Sequence, residues 1–205
     1  MFGLGKKRRE KAALDSAMEK ISRALIDDDF QLRILGPKNY SMFKNLSAID
    51  YHHKAEGEFG RAVSNPIPTN GPIGTLAYLS SLKTKTSERI LFHRLNTIGK
   101  VDVYEYVSWS GSEWGFLFVD MYHSRKTALE PDGFARSTEP MQLTGFNHFW
   151  DDFPHGFSEQ KQPLPKDIRM LYASIDAIGK GISGRIFQPT DLHLATRDVL
   201  ANFQQ

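Results

Sequence analysis

Trp114-Gly115-Phe116-Leu117-Phe118-Val119-Asp120-Met121-Tyr122-His123 is apolar on both faces of an extended chain, and its reading decides the fold. A strand of this kind is expected at the centre of a sheet that is covered on two sides. Working back from it, Lys100 to Ser108 alternates. Val101, Val103, Glu105 and Val107 fall on a mainly aliphatic face, and Asp102, Tyr104, Tyr106 and Ser108 on an aromatic and polar one. One step earlier, Arg89 to Leu95 is a third β-rich run. The breaks Asn96-Thr97-Ile98-Gly99 and Ser108-Trp109-Ser110-Gly111-Ser112-Glu113 are short and rich in turn residues, which suits hairpins rather than crossover helices. With a further strand expected over Gly74–Ser81, the middle of the chain reads as an antiparallel β-meander over about residues 74–123.

Something must shelter both faces of that sheet. At the N-terminus, Leu14, Met18, Ile21 and Leu25 recur at helical spacing and predict an amphipathic helix ending near Ile26, where Asp27-Asp28-Asp29 would oppose the negative end of its dipole. A second stripe, Ile168, Leu171, Tyr172, Ile175 and Ile178, predicts a helix over about 166–178. A last helix is expected from the N-cap Thr190 through Leu192, Ala195, Val199 and Leu200. Helices at both ends and strands between them define an α+β class, with a basic amphipathic helix over residues 1–28 and a single domain over 29–205. The segments 65–74, with three prolines and Asn70-Gly71, and 124–143 read as long loops.

Composition sets the outer limits. The 205 residues contain no cysteine, which removes disulfides, zinc fingers, iron–sulfur clusters and thiol nucleophiles. The formal charge of +2 is unevenly spread. Residues 1–26 hold seven Lys or Arg against three Asp or Glu, and the remainder is nearly balanced. The run Lys6, Lys7, Arg8, Arg9 and Lys11 lacks the apolar centre of a secretion signal, so a cytoplasmic protein is expected. Those cations suit an anionic membrane surface, but they are too few, and too far from interleaved aromatics, for a nucleic-acid footprint.

The chemistry-bearing candidates are few. Gly179-Lys180-Gly181-Ile182-Ser183-Gly184 has the letters of a dinucleotide loop but follows an expected helix instead of a strand, and reads as a structural loop with Gly179 as the C-cap of that helix. The stretch 145–157, Gly-Phe-Asn-His-Phe-Trp-Asp-Asp-Phe-Pro-His-Gly-Phe, reads as a short aromatic helix capping the sheet. Its Phe149, Trp150 and Phe153 are candidate partner anchors, and His148, Asp152 and His155 candidate ligands for a divalent metal or an acid–base set. Asp120 with His123 is the alternative catalytic pair, Asp120 being expected to find an ion partner such as Arg94. His52-His53 reads as a solvated loop. The absence of a Gly-x-Ser-x-Gly elbow leaves a serine hydrolase unsupported.

Three readings follow. The first is a non-enzymatic module that binds a protein partner or a second copy of itself, with no cofactor. The second is a metal-assisted hydrolase using His148, Asp152 and His155, or Asp120 with His123. The third is peripheral attachment to membranes through the basic N-terminus.

Overall fold

The computed structural model describes residues 3–137, 142–155, 179–182 and 184–203. The expected helix over 166–178 lies outside them, as do the side chains of Lys6, Lys7 and Arg9; Arg8 and Lys11 are exposed. The fold is α+β, built on a mostly antiparallel mixed sheet of five strands. Across the sheet they lie in the order β1 (Ile67–Pro68), β5 (Trp114–Asp120), β4 (Val101–Ser108), β3 (Ile90–Ile98) and β7 (Gly145–Phe146). A separate pair is made by β2 (Leu82–Thr84) and β6 (Phe134–Arg136). Among the described residues, no helix is long and apolar enough to cross a membrane.

The meander is the centre of the sheet. Strand β3 pairs with β4, and β4 pairs with β5, all antiparallel. Ile98 faces Val101 across the two-residue turn Gly99-Lys100. The register slips between Arg94 and Asn96, a bulge that leaves Leu95 buried against Val103 and Phe118. Both expected faces of β4 are confirmed: Tyr104 and Tyr106 join the largest core cluster, while Val103 and Val107 join clusters on the other side.

Two edges were not expected. Strand β1 adds parallel to β5 inside the segment read as a loop, its proline tolerated because the strand is an edge. Strand β7 adds parallel to β3 where an aromatic helix was expected. Gly145 makes that approach possible: a Cβ there would lie 2.3 Å from the Phe92 carbonyl oxygen. The pairing of β2 with β6 means that the stretch 124–143 is not wholly loop.

The expected strand Gly74–Ser81 is instead helix α4 (Gly71–Ser81), begun by Pro72 in its first turn. Residues 73–80 are all buried, so the helix has no polar face and no amphipathic period to read. Gly74 is required where it stands, since a Cβ would fall 1.8 Å from Asn70 Oδ1.

Helix α1 (Gly3–Ile26) stops where expected and docks through Ile21, Ala24 and Leu25, whereas Met18 is exposed. The three aspartates that end it also start the next helix. Asp27 accepts from the Phe30 amide as the N-cap of α2 (Asp28–Ile34), whose first turn places Asp28 and Asp29 at the favourable end of the dipole. Helix α3 (Pro37–Lys44) follows.

At the other end, Thr190 caps α5 (Asp191–Ala201), accepting from the His193 amide. The helix is rotated from its expected seating. Leu192 and Val199 are exposed, and His193, Leu200 and Ala201 turn inward. The sheet is therefore sheltered by α1 and α4 on one face and by α5 with the aromatic segment on the other.

Candidate metal centre at the end of β5

Strand β5 ends at Asp120, and the chain then runs beside the segment that links β1 to α4. Thr69 donates to the Asp120 carbonyl, Gly71 to that of Met121, and His123 to that of Thr69. This ladder fixes Asp120 and His123 on a frame made by two strands and a helix start. The carboxylate of Asp120 divides its work. Oδ1 accepts from the Tyr122 amide at 3.0 Å, and Oδ2 faces His123 Nε2 at 3.1 Å. Burial pushes the Asp120 carboxyl up, but the bonds from His123 and Tyr122 outweigh it and hold it below the ordinary range.

The third member arrives from the loop after α3. The Ser124 amide donates to the Ser47 carbonyl. Asp50 receives a bidentate Arg125 guanidinium at 2.7 and 2.8 Å, and its Oδ1 also accepts from the Ala128 amide. Thr127 Oγ1 donates to the Asp50 carbonyl. The Arg125 fork holds the Asp50 carboxyl well below its ordinary range. Two residues after this clamp, His52 is brought beside the pair: its Nε2 is 3.7 Å from Asp120 Oδ2, and its ring lies 5.5 Å from that of His123.

His52 Nε2 is buried and has no hydrogen-bond partner, because 3.7 Å is beyond hydrogen-bond reach. Burial lowers the His52 pKa, so near neutral pH the ring is uncharged and can offer a lone pair. One donor atom from each of His52, Asp120 and His123 lies within 4.8 Å of the others. Bonds of about 2.0–2.2 Å to a tetrahedral cation separate neighbouring donors by roughly 3.4 Å, close to the 3.1 and 3.7 Å found for the two histidine–carboxylate pairs. Two imidazoles and one carboxylate leave positions open for water or substrate, as catalytic sites do and closed structural sites do not.

Of the residues singled out in the sequence, the structure unites Asp120 and His123. Arg94 pairs instead with Asp102 at 3.7 Å. His148, Asp152 and His155 are not part of this convergence, which is the only one of its kind among the described residues. His148 lies against Phe146, His155 against Phe187, and Asp152 is exposed. Trp150 and Phe153 are buried with Leu91 and Val107, leaving Phe149 as the exposed member of the aromatic trio. Gly179–Ile182 is helical and Ile182 packs into the same cluster, so the expected C-cap at Gly179 and the loop after it are not found over these four residues.

His52 was missed because its neighbour in sequence is also histidine and the two cannot point the same way, which argued against the pair. Only one of them is needed. Also missed was Glu105, the one acid in the aliphatic stripe of β4. It is 1% exposed and is held by His93 Nε2 at 2.7 Å, His193 Nε2 at 2.7 Å and Arg197 Nε at 3.1 Å. Comparison with models of protein families, with curated proteins and with solved structures finds no match for the chain.

Proposed function

We propose that the protein is a divalent-metal-dependent hydrolase, with His52, Asp120 and His123 as the metal ligands. The observation that carries this reading is the convergence of three donor atoms, one of them a buried imidazole nitrogen without a partner. A cation held there would act as a Lewis acid on a substrate oxygen or on bound water. The protein's contribution is a rigid ligand frame: Asp120 and His123 on the β1–β5 ladder and His52 on the Asp50–Arg125 clamp. The partner-binding reading draws less support, since Trp150 and Phe153, two of its three anchors, are committed to the core.

The test is calorimetric titration of the full chain with Zn²⁺, Mn²⁺, Mg²⁺ and, under argon, Fe²⁺, paired with hydrolysis of p-nitrophenyl phosphate and acetate before and after chelation. One equivalent of a transition metal should bind, Asp120→Ala should weaken it at least 100-fold, and chelation should abolish turnover. Absence of binding by the wild-type chain would remove the reading. Binding with turnover unaffected by chelation would leave a metal site without the proposed chemistry.

A further inference from the structure

His123 meets two different groups through its two nitrogens. Nε2 faces Asp120 Oδ2 at 3.1 Å, and Nδ1 faces the hydroxyl of Ser47 at 3.3 Å. The His123 side chain is 6% exposed, whereas Ser47 is at the surface. A neutral imidazole carries one proton, and the partner of each nitrogen decides where it sits. A carboxylate can only accept, so opposite Asp120 the proton belongs on Nε2, and Nδ1 then accepts from the Ser47 hydroxyl.

That arrangement is incompatible with ligation through Nε2, which must present a bare lone pair to a cation. The proton then has to sit on Nδ1, and it needs an acceptor there, because a buried N–H left without a partner is destabilising. A hydroxyl both donates and accepts, so Ser47 serves either tautomer by rotating about its Cβ–Oγ bond. A backbone carbonyl or a carboxylate at the same place would lock the ring as a ligand, and an amide N–H would lock it as a partner of Asp120.

We infer that Ser47 is the outer positioning residue of the metal centre, the acceptor that lets His123 move its proton from Nε2 to Nδ1 when a cation takes Nε2. This rests on the metal reading above. No net charge changes on the ring: one N–H bond breaks, the other forms, and the hydroxyl reverses its direction. Ser47 is itself anchored, its carbonyl accepting from the Ser124 amide next to His123, so the contact spans two backbone segments 76 residues apart. Histidine ligands are generally held by such a second bond, and its loss typically costs 10–100-fold in metal affinity.

The experiment uses the full chain with ¹⁵N-labelled histidine. In the metal-free protein the His123 ring should show a protonated Nε2. On addition of one equivalent of Zn²⁺ the proton signal should move to Nδ1. Ser47→Ala should weaken Zn²⁺ binding tenfold or more with an unchanged fold, and Ser47→Thr, which keeps the hydroxyl, should restore it to within about threefold. Wild-type protein that binds Zn²⁺ while His123 keeps its Nε2 proton, or Ser47→Ala that binds as tightly as wild type, would overturn the role of Ser47 and leave the metal site standing. Wild-type protein that binds no metal would overturn both.

Discussion

Glu105 and Asp120 are both carboxylates on neighbouring strands of one sheet, and each meets two histidines, yet the two clusters are built to opposite ends. Around Glu105 the partners are saturated. Oε1 accepts from His193, Oε2 accepts from His93 and is ion-paired with Arg197 Nε at 3.1 Å, and His93 Nδ1 in turn accepts from the Trp150 amide at 3.1 Å. That last bond fixes the His93 tautomer, since an amide can only donate and the ring proton must lie on the nitrogen facing Glu105. Stacking closes the cluster: His193 lies flat on Phe116 at 4.6 Å and His93 on Phe153 at 4.4 Å. Around Asp120 one imidazole nitrogen lacks a partner, and a second is bonded to a hydroxyl that can reverse. With its carboxylate saturated and His93 locked in one tautomer, the first cluster is a rivet between α5 and the sheet; the second has coordination capacity left over.

The largest expected effect breaks the rivet from its aromatic side. Trp150→Ala removes a buried indole from the Leu91–Val107 cluster and should cost about 3–5 kcal/mol in denaturant unfolding. Phe149→Ala, next door at 48% exposure, should cost under about 1 kcal/mol. Equal costs would mean that the segment 146–153 does not sit on the sheet as described, and would reopen Trp150 as a surface anchor.

Next in size is Glu105→Gln. The locked His93 claims the amide oxygen, so the amide nitrogen faces His193 Nε2, which must release its proton to accept, and the negative charge opposite Arg197 is lost. The expected loss is about 2–3 kcal/mol at neutral pH. The pH dependence has a definite sign. Burial raises the Glu105 carboxyl, but hydrogen bonds from His193 and His93 dominate and bring it from 4.5 to about 2. Its stabilisation is therefore complete above about pH 4.5 and is lost as pH falls towards 2. His93, lowered by burial, adds a loss in the same direction that begins below about pH 6.5. The unfolding curves of wild type and of Glu105→Gln should therefore converge on acidification. A difference that persists at pH 2 would show that the deficit of the variant is steric and not electrostatic.

The Glu105 rivet also explains which parts of the fold were legible beforehand. The meander is readable because β4 alternates and β3 and β5 are β-rich runs set off from it by short turns, and the face of β4 that includes Glu105 matches residue by residue. The seating of α5 was not. Its sequence stripe of Leu192, Ala195, Val199 and Leu200 reads as the buried face, but ion pairing at His193 and Arg197, four residues apart, and stacking at His193 turn the helix so that the first three of those residues face solvent. Helix α4 was unreadable for a different reason, being buried on all sides. Two of the three proposed ligands are visible in the sequence as Asp120 and His123, three residues apart at and just beyond the end of β5. His52 is brought there by a salt bridge between Asp50 and Arg125, 75 residues apart, which no local pattern encodes.

The smallest expected effect separates the two clusters most cleanly. His52→Ala removes a ring that packs on His123 but makes no hydrogen bond through its buried Nε2, so the lost contact and the relieved polar atom nearly offset one another. In metal-free buffer the change should be within about 0.5 kcal/mol of wild type. His93→Ala, which strips Glu105 and the Trp150 amide of a partner, should cost about 3 kcal/mol. The gap should nearly close when metal is added. With Zn²⁺ at 100 times its dissociation constant, wild type and His93→Ala should each gain about 2.7 kcal/mol and His52→Ala almost none. A large metal-free cost at His52 would mean that its nitrogen has a partner in solution and that the ring is structural. An undiminished Zn²⁺ gain in His52→Ala would remove it from the ligand set and leave Asp120 and His123 too few to hold a cation.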